Sequence, residues 1–188
     1  MSDPLLFLLA VLTILGTPGP TNTLLATSGA AVGLRSSLPL LLGELFGYLI
    51  AIGAMRLVLG PVIAAYPPLA AGLKLAVAGY LLWLAIRLWL RSATLAGSGR
   101  VTVINVFVTA LLNPKALIFA LSVFPMSHPG LHWYFLAFTV LVLTAGSSWV
   151  LIGKAVGAAA GRHAGLVPRV ASVALAGFAG LVAASGFG

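Results

Sequence analysis

Long runs without a charged side chain constrain this sequence more than any other feature. Between Asp3 and Arg35 there is none, and the whole chain of 188 residues carries ten basic and two acidic side chains. A soluble domain has about 25% charged residues; here the share is 6%, against 61% hydrophobic. So few charges cannot clothe a water-facing surface, so the sequence predicts an all-α integral membrane protein with no soluble domain. Apolar runs bounded by Pro, Gly or basic residues predict six transmembrane helices, roughly 4–33, 38–60, 69–90, 102–127, 131–153 and 167–187. The opening Met-Ser-Asp-Pro lacks the positive start of a secretory signal, so the first helix is expected to be retained.

The same scarcity excludes most chemistry. Without cysteine there are no disulfides, thiolate metal sites or thiol redox steps. Asp3 and Glu44 are the only acids, which argues against paired-carboxylate catalysis and against an oxygen-ligand metal cage. His128 and His132 are four apart, but Pro129-Gly130 breaks the helix that would aim them together. Gly153-Lys154 lacks the glycine spacing of a phosphate loop. No enzymatic activity, metal or cofactor is expected. The net charge of +8 is scattered among apolar runs. Nucleic-acid binders gather such charge on one face or tail, so nucleic acid is not an expected partner.

Topology explains the basic residues better. Arg35, then Arg87, Arg91 and Arg100, then Lys154, Arg162 and Arg169 fall in one set of connections. The opposite set, around Tyr66-Pro67-Pro68 and Ser127-His128-Pro129, has none. Arg56 and Lys74 lie near the outer ends of their spans, where long stems can snorkel. The bias puts three basic loops in the cytoplasm and both termini outside. Trp89 fits an inner interfacial anchor, and Tyr66, Trp133 and Tyr134 fit outer ones.

Two spans are interrupted. Residues 4–33 would form a helix of roughly 45 Å, longer than the ~30 Å hydrocarbon core. Thr17-Pro18-Gly19-Pro20-Thr21-Asn22 sits near its middle and should break it. The fourth span has its own break at Leu112-Asn113-Pro114-Lys115. Pro18 and Pro114 are separated by close to half the chain, and spans 2 and 5 and spans 3 and 6 share nearly that offset. Three spans per half invert the second half. The expectation is one transmembrane domain of two inverted three-helix repeats, 1–98 and 99–188, with spans 1 and 4 interrupted at Pro-Gly-Pro and Asn-Pro-Lys. Matched broken helices point to a secondary-transporter site. The rows Gly29/Gly33, Gly43/Gly47 and Gly153/Gly157/Gly161 suit a compact bundle or a homodimer face.

Each break should start a half-helix with unpaired N–H groups and a positive dipole end. The candidate substrate site is therefore Pro18, Gly19, Pro20, Thr21, Asn22, Glu44, Asn113, Pro114 and Lys115. Asn113 is a natural N-cap. Lys115 in a first turn is a cation at an already positive terminus, which makes sense if a substrate carboxylate binds between them. Glu44, about 9 Å into span 2, should face the interior and have a partner. Arg35 and Arg56 are too far along the helix to be that partner. The reading is a proton or substrate-amine site, with a buried pair to Lys115, a neutral carboxyl or an inner-edge side chain as structural alternatives.

These residues resemble the LysE/RhtB family of amino-acid exporters. The likeness runs through Pro18-Gly19-Pro20, Gly29, Gly33-Leu34, Gly43, Gly47, Leu73-Lys74, Gly79-Tyr80-Leu81-Leu82-Trp83-Leu84, Leu112-Asn113-Pro114-Lys115-Ala116 and Phe124-Pro125. The resemblance implies a bacterial inner-membrane protein that exports amino acids or related metabolites by proton antiport, with an acid near Glu44. Phe124-Pro125-Met126-Ser127 lacks the family's Gln-Phe, and span 5 has no acid at Ser147-Ser148-Trp149. The connection at Ala96-Gly97-Ser98-Gly99 is minimal. The expected partners are a small zwitterionic substrate and membrane lipid. A passive channel or facilitator, and a non-transporting membrane subunit, are the alternatives.

Overall fold

The computed structural model describes residues 3–59, 61, 65–91, 101–125, 128–160 and 166–184, and among them it is helical with no strand. Arg100, Arg162, Gly161, Met126-Ser127 and the Ala96-to-Gly99 connection lie outside the described residues, as do the side chains of Lys74 and Arg91. In chain order come α1 (Pro4–Gly16), α2 (Pro20–Ala54), α3 (Pro67–Arg91), α4 (Val103–Leu111), α5 (Pro114–Ile118), α6 (Leu131–Ala160) and α7 (Leu166–Ala184). Five-residue π-type turns, Met55–Leu59 and Phe119–Val123, extend α2 and α5.

Local chemistry sets the helix starts. Asp3 caps α1 by accepting from the backbone N–H of Leu5 at 2.8 Å and of Leu6 at 3.1 Å, with Pro4 next in line. Thr102 and Asn105 form a reciprocal capping box on α4. Pro20 and Pro114 each open a helix, where a missing N–H costs nothing.

The helix α2 is a hairpin of two arms. Gly33 has φ 76° and ψ −177°, a conformation essentially confined to glycine. Nine residues of continuous helix would separate Ser28 from Ser37 by about 13 Å, yet their hydroxyl oxygens are 2.8 Å apart. Ser37 also donates to the Gly33 carbonyl at 2.8 Å, closing the turn. Gly33 therefore reverses the chain and is not part of a packing row with Gly29. A Cβ added at Gly33 would meet no atom within 4 Å.

The remaining glycine rows hold helices together within the molecule. A side chain at Gly29 would strike the Val150 backbone on α6, and one at Gly153 or Gly157 would strike Ala26 or Ala30 on the first arm of α2. Gly43 and Gly47, on the second arm, lie against Val103, Phe107 and Ala110 of α4. So the first arm packs on α6 and the second on α4, while α3 and α7 pack on each other. The support from Gly153 and Gly157 carries α6 past the expected end at 153 to Ala160, and leaves Lys154 exposed on a helix instead of in a connection.

Two buried clusters form the core. Phe7, Tyr48, Phe119, Phe124, Tyr134 and Phe138 meet mostly edge to face in one. The other joins both arms of α2 to α3, α4, α6 and α7 through Leu24, Leu41, Leu81, Val106, Val150 and Leu175. Tyr134 is thus a core residue, packed on Phe7 at 4.9 Å between ring centres, and not the interfacial anchor its sequence neighbourhood suggested. Tyr66, Trp89 and Trp133 are exposed, and the Arg169 guanidinium lies 5.8 Å from the Trp89 ring.

Many large apolar side chains among the described residues are exposed. Leu38, Leu42, Phe46 and Ile50 recur every fourth residue on one face of the second arm, each about half exposed. Monomeric soluble proteins rarely expose continuous apolar faces of this kind. The stretches Pro20–Val58 and Leu131–Ala159 are long and apolar enough to cross a membrane. The first turns back at Gly33, leaving roughly 25 residues, or about 38 Å, beyond the turn.

Candidate functional site

Two helix breaks that are far apart in sequence meet in space. At the first, α1 ends at Gly16, Thr17 to Gly19 run extended, and α2 restarts at Pro20. Pro18 and Pro20 have no N–H to offer, so the carbonyls ending α1 need donors from elsewhere. Asn22, in the first turn of α2, reaches back to the Leu15 carbonyl at 2.8 Å and the Thr17 carbonyl at 2.9 Å. The Trp149 indole N–H on α6 adds a bond to Leu15 at 3.2 Å. The Lys115 ammonium of α5 donates to Thr17 in a short bond.

Asn113 organises the second break. Its Oδ1 accepts the Lys115 N–H at 3.0 Å and caps α5. Its Nδ2 donates to Thr21 Oγ1 at 2.8 Å and to the Tyr48 hydroxyl at 3.0 Å, tying both arms of α2 to the break. Pro20 and Pro114, each at the first helical position, are the structurally matching prolines, in place of the Pro18–Pro114 match suggested by spacing alone. Pro18 and Pro114 are exposed, while Gly19, Pro20, Thr21, Asn22, Glu44, Asn113 and Lys115 are buried.

Lys115 has a protein partner. Its charge is misplaced at the start of its own helix but lies against the carbonyl end of α1, where a cation is favoured. Gly19 gives it room: a Cβ there would fall 3.0 Å from Lys115 Cε and 3.1 Å from Nζ. Gly19 has φ −165°, which any residue adopts, so space and not conformation calls for glycine.

Glu44 faces inward on the second arm with 1% exposure. Its Oε2 is buried and has no hydrogen-bond partner. A Cβ at Gly146 on α6 would fall 2.5 Å from that oxygen, so glycine leaves the space the carboxyl occupies. No ion pair joins Glu44 to Lys115. The cluster therefore contains a cation held by the Thr17 carbonyl and an acid with an unpartnered oxygen.

Sequence reasoning missed Tyr48, Gly146, Trp149 and the Leu15 and Thr17 carbonyls. Tyr48 follows Glu44 by one helical turn, which was a usable signal. Nothing in the sequence aims Trp149 at Leu15. Tyr80 packs on α4, bonding Thr109 Oγ1 at 3.1 Å and the Asn105 carbonyl at 3.3 Å. Trp83 is exposed beneath the Arg87 guanidinium at 4.7 Å. His128 accepts from the Gly130 N–H at 3.0 Å within its turn. Among the described residues no three His, Cys, Asp or Glu side chains gather to hold a metal.

Compared with known proteins, the chain matches no protein-family model, no curated protein and no solved structure.

Proposed function

We propose that this chain is a secondary transporter of the LysE/RhtB kind, exporting an amino acid or similar small zwitterion across the bacterial inner membrane in exchange for protons. The observation that carries the proposal is the meeting of the two broken helices. Lys115 from the second reaches the carbonyl end of the first, and Asn113 binds Thr21 and Tyr48. Helix ends at such a break present opposite partial charges to the two ends of a zwitterion. Glu44, buried with an open oxygen beside them, is the group whose change of charge would couple protons to solute.

The packing pattern supports six spans in two inverted repeats. Span 1 packs on span 5 through Gly29 and Gly153, and span 2 on span 4 through Gly43 and Gly47. Spans 3 and 6 pack on each other. Exchanging span 1 with 4, 2 with 5 and 3 with 6 maps this set of contacts onto itself, as a two-fold axis between the halves requires. The exposed Leu38–Leu42–Phe46–Ile50 face and the apolar length of Leu131–Ala159 support a lipid surround.

Counterflow in proteoliposomes tests the reading with a panel of labelled amino acids, for wild type, Glu44→Gln and Lys115→Met. Selective counterflow in wild type, lost in Lys115→Met and uncoupled from the pH gradient in Glu44→Gln, is the expected result. Wild-type flux indifferent to any pH gradient would replace the antiporter with a facilitator. A folded wild type that moves no panel member would overturn transport of this class and favour a non-transporting subunit.

A further inference from the structure

The carbonyl end of α1 is unusually well supplied with donors. Asn22 reaches it from α2, Trp149 from α6 and Lys115 from α5. Asn22 and Trp149 are neutral and tie the end in place. Lys115 brings a full charge, and it does so from the first turn of a helix whose own dipole disfavours it. An ammonium has three N–H donors, and a helix C-terminus with freed carbonyls is a good receptor for one. Glu44 on the second arm of α2 is buried as well, with Oε2 unpartnered.

From this geometry we infer that the end of α1 is an ammonium site that Lys115 fills from within the chain, and that a solute amine binds by displacing this tethered one. The inference rests on the transport reading for its solute, but the site itself does not require transport. Its consequence is a rule of selectivity. A tethered group competes at an effective concentration of order millimolar or higher, so a simple amine gains little by replacing one ammonium with another. A solute that also carries a carboxylate offers the displaced Lys115 a new partner. Only the zwitterion restores both charges to contact. The site then rejects amines and carboxylates singly, without a dedicated pocket for either.

Binding to purified protein in nanodiscs tests this, read by calorimetry and thermal shift. The probes are ethylammonium and tetramethylammonium, applied to wild type, Lys115→Ala and Lys115→Met. Removing the tether frees the Thr17 carbonyl of its ammonium partner, so ethylammonium should bind Lys115→Ala at least about tenfold more tightly than wild type. It should raise that variant's unfolding temperature as well. Tetramethylammonium, with equal charge and no N–H, should do neither. Lys115→Met keeps the stem and removes only the charge; it should show the same ranking more weakly, and it serves if the alanine variant folds poorly. Equal effects of the two cations, or no gain over wild type in either variant, would overturn the inference. Amine binding in variants of a protein that transports nothing would leave the site standing and remove the transporter. Transport without amine binding in the variants would do the reverse.

Discussion

The same substitution at two glycines of α6 should have opposite consequences. At Gly153 an added Cβ would fall 2.6 Å from the Ala26 Cα and nearer still to that residue's carbonyl. Carbon atoms pack at about 3.5–4.0 Å, so the backbones of α6 and the first arm of α2 must part by about 1 Å. Neither can yield locally, because both atoms met are main chain. Overpacking of this kind costs about 1–3 kcal/mol or more. At Gly146 the new Cβ would meet Glu44 Oε2 at 2.5 Å, Leu41 Cδ2 at 2.7 Å and Leu25 Cδ1 at 3.3 Å. All three are tips of flexible side chains, and alanine gains roughly 0.5–1 kcal/mol over glycine inside a helix. Gly146→Ala should therefore stay within about 1 kcal/mol of wild type while pushing the Glu44 carboxyl about 1 Å from its place. Denaturant unfolding in mixed micelles reads the first quantity. The dependence of counterflow on an imposed pH gradient reads the second. The expectation is a destabilised Gly153→Ala, and a stable Gly146→Ala with altered gradient dependence. Equal destabilisation by the two, or a Gly146→Ala with wild-type gradient dependence, would refute this account of the packing around Glu44.

Other substitutions probe the remaining devices. Gly33→Ala forces an L side chain into its φ 76°, ψ −177° backbone and should cost about 1–3 kcal/mol. Gly79→Ala, with nothing within 4 Å and ordinary helix geometry, should be neutral or stabilising in the same unfolding assay. Asn113→Asp keeps the acceptor that caps α5 but loses the amide donor to Thr21 and Tyr48. It should lose counterflow with little change in helix content by circular dichroism. Tyr48→Phe removes only the hydroxyl that accepts from Asn113, for about 0.5–1.5 kcal/mol in the unfolding midpoint.

The sequence read most clearly where one residue's chemistry dictates its own neighbourhood. Proline cannot sit where a helix needs its N–H, so the breaks at Thr17–Gly19 and Leu112–Asn113 were visible, as was Asn113 at the cap. The scarcity of charge foretold apolar outer faces. Partner choice was less legible, because it depends on which helix faces which. Gly29 and Gly33 looked like one packing row, yet one meets Val150 and the other reverses the chain. Tyr134 beside Trp133 looked interfacial, but consecutive residues on a helix point about 100° apart, and only Trp133 faces out. For Lys115 the anomaly, a cation at a positive helix end, was legible from its place after Pro114. The resolution lay with a carbonyl 98 residues earlier, beyond any periodic signal.

That resolution changes what Lys115 implies. Had it been buried without a partner, an anion would have been required to balance it, and the site would have been half-built without its ligand. Bonded to Thr17, it closes the site with the chain's own charge and leaves Oε2 of Glu44 as the open acceptor. A site closed by its own cation cannot be opened by a neutral solute, since the displaced ammonium would be left in a low-dielectric interior without compensation, at a cost of several kcal/mol. On the proposed reading it opens to a solute that brings a carboxylate for the lysine and an ammonium for the Thr17 carbonyl. On the transport reading proposed above, the two broken helices would favour a zwitterion through the rearrangement they demand, and a neutral isostere of such a solute should neither bind nor compete.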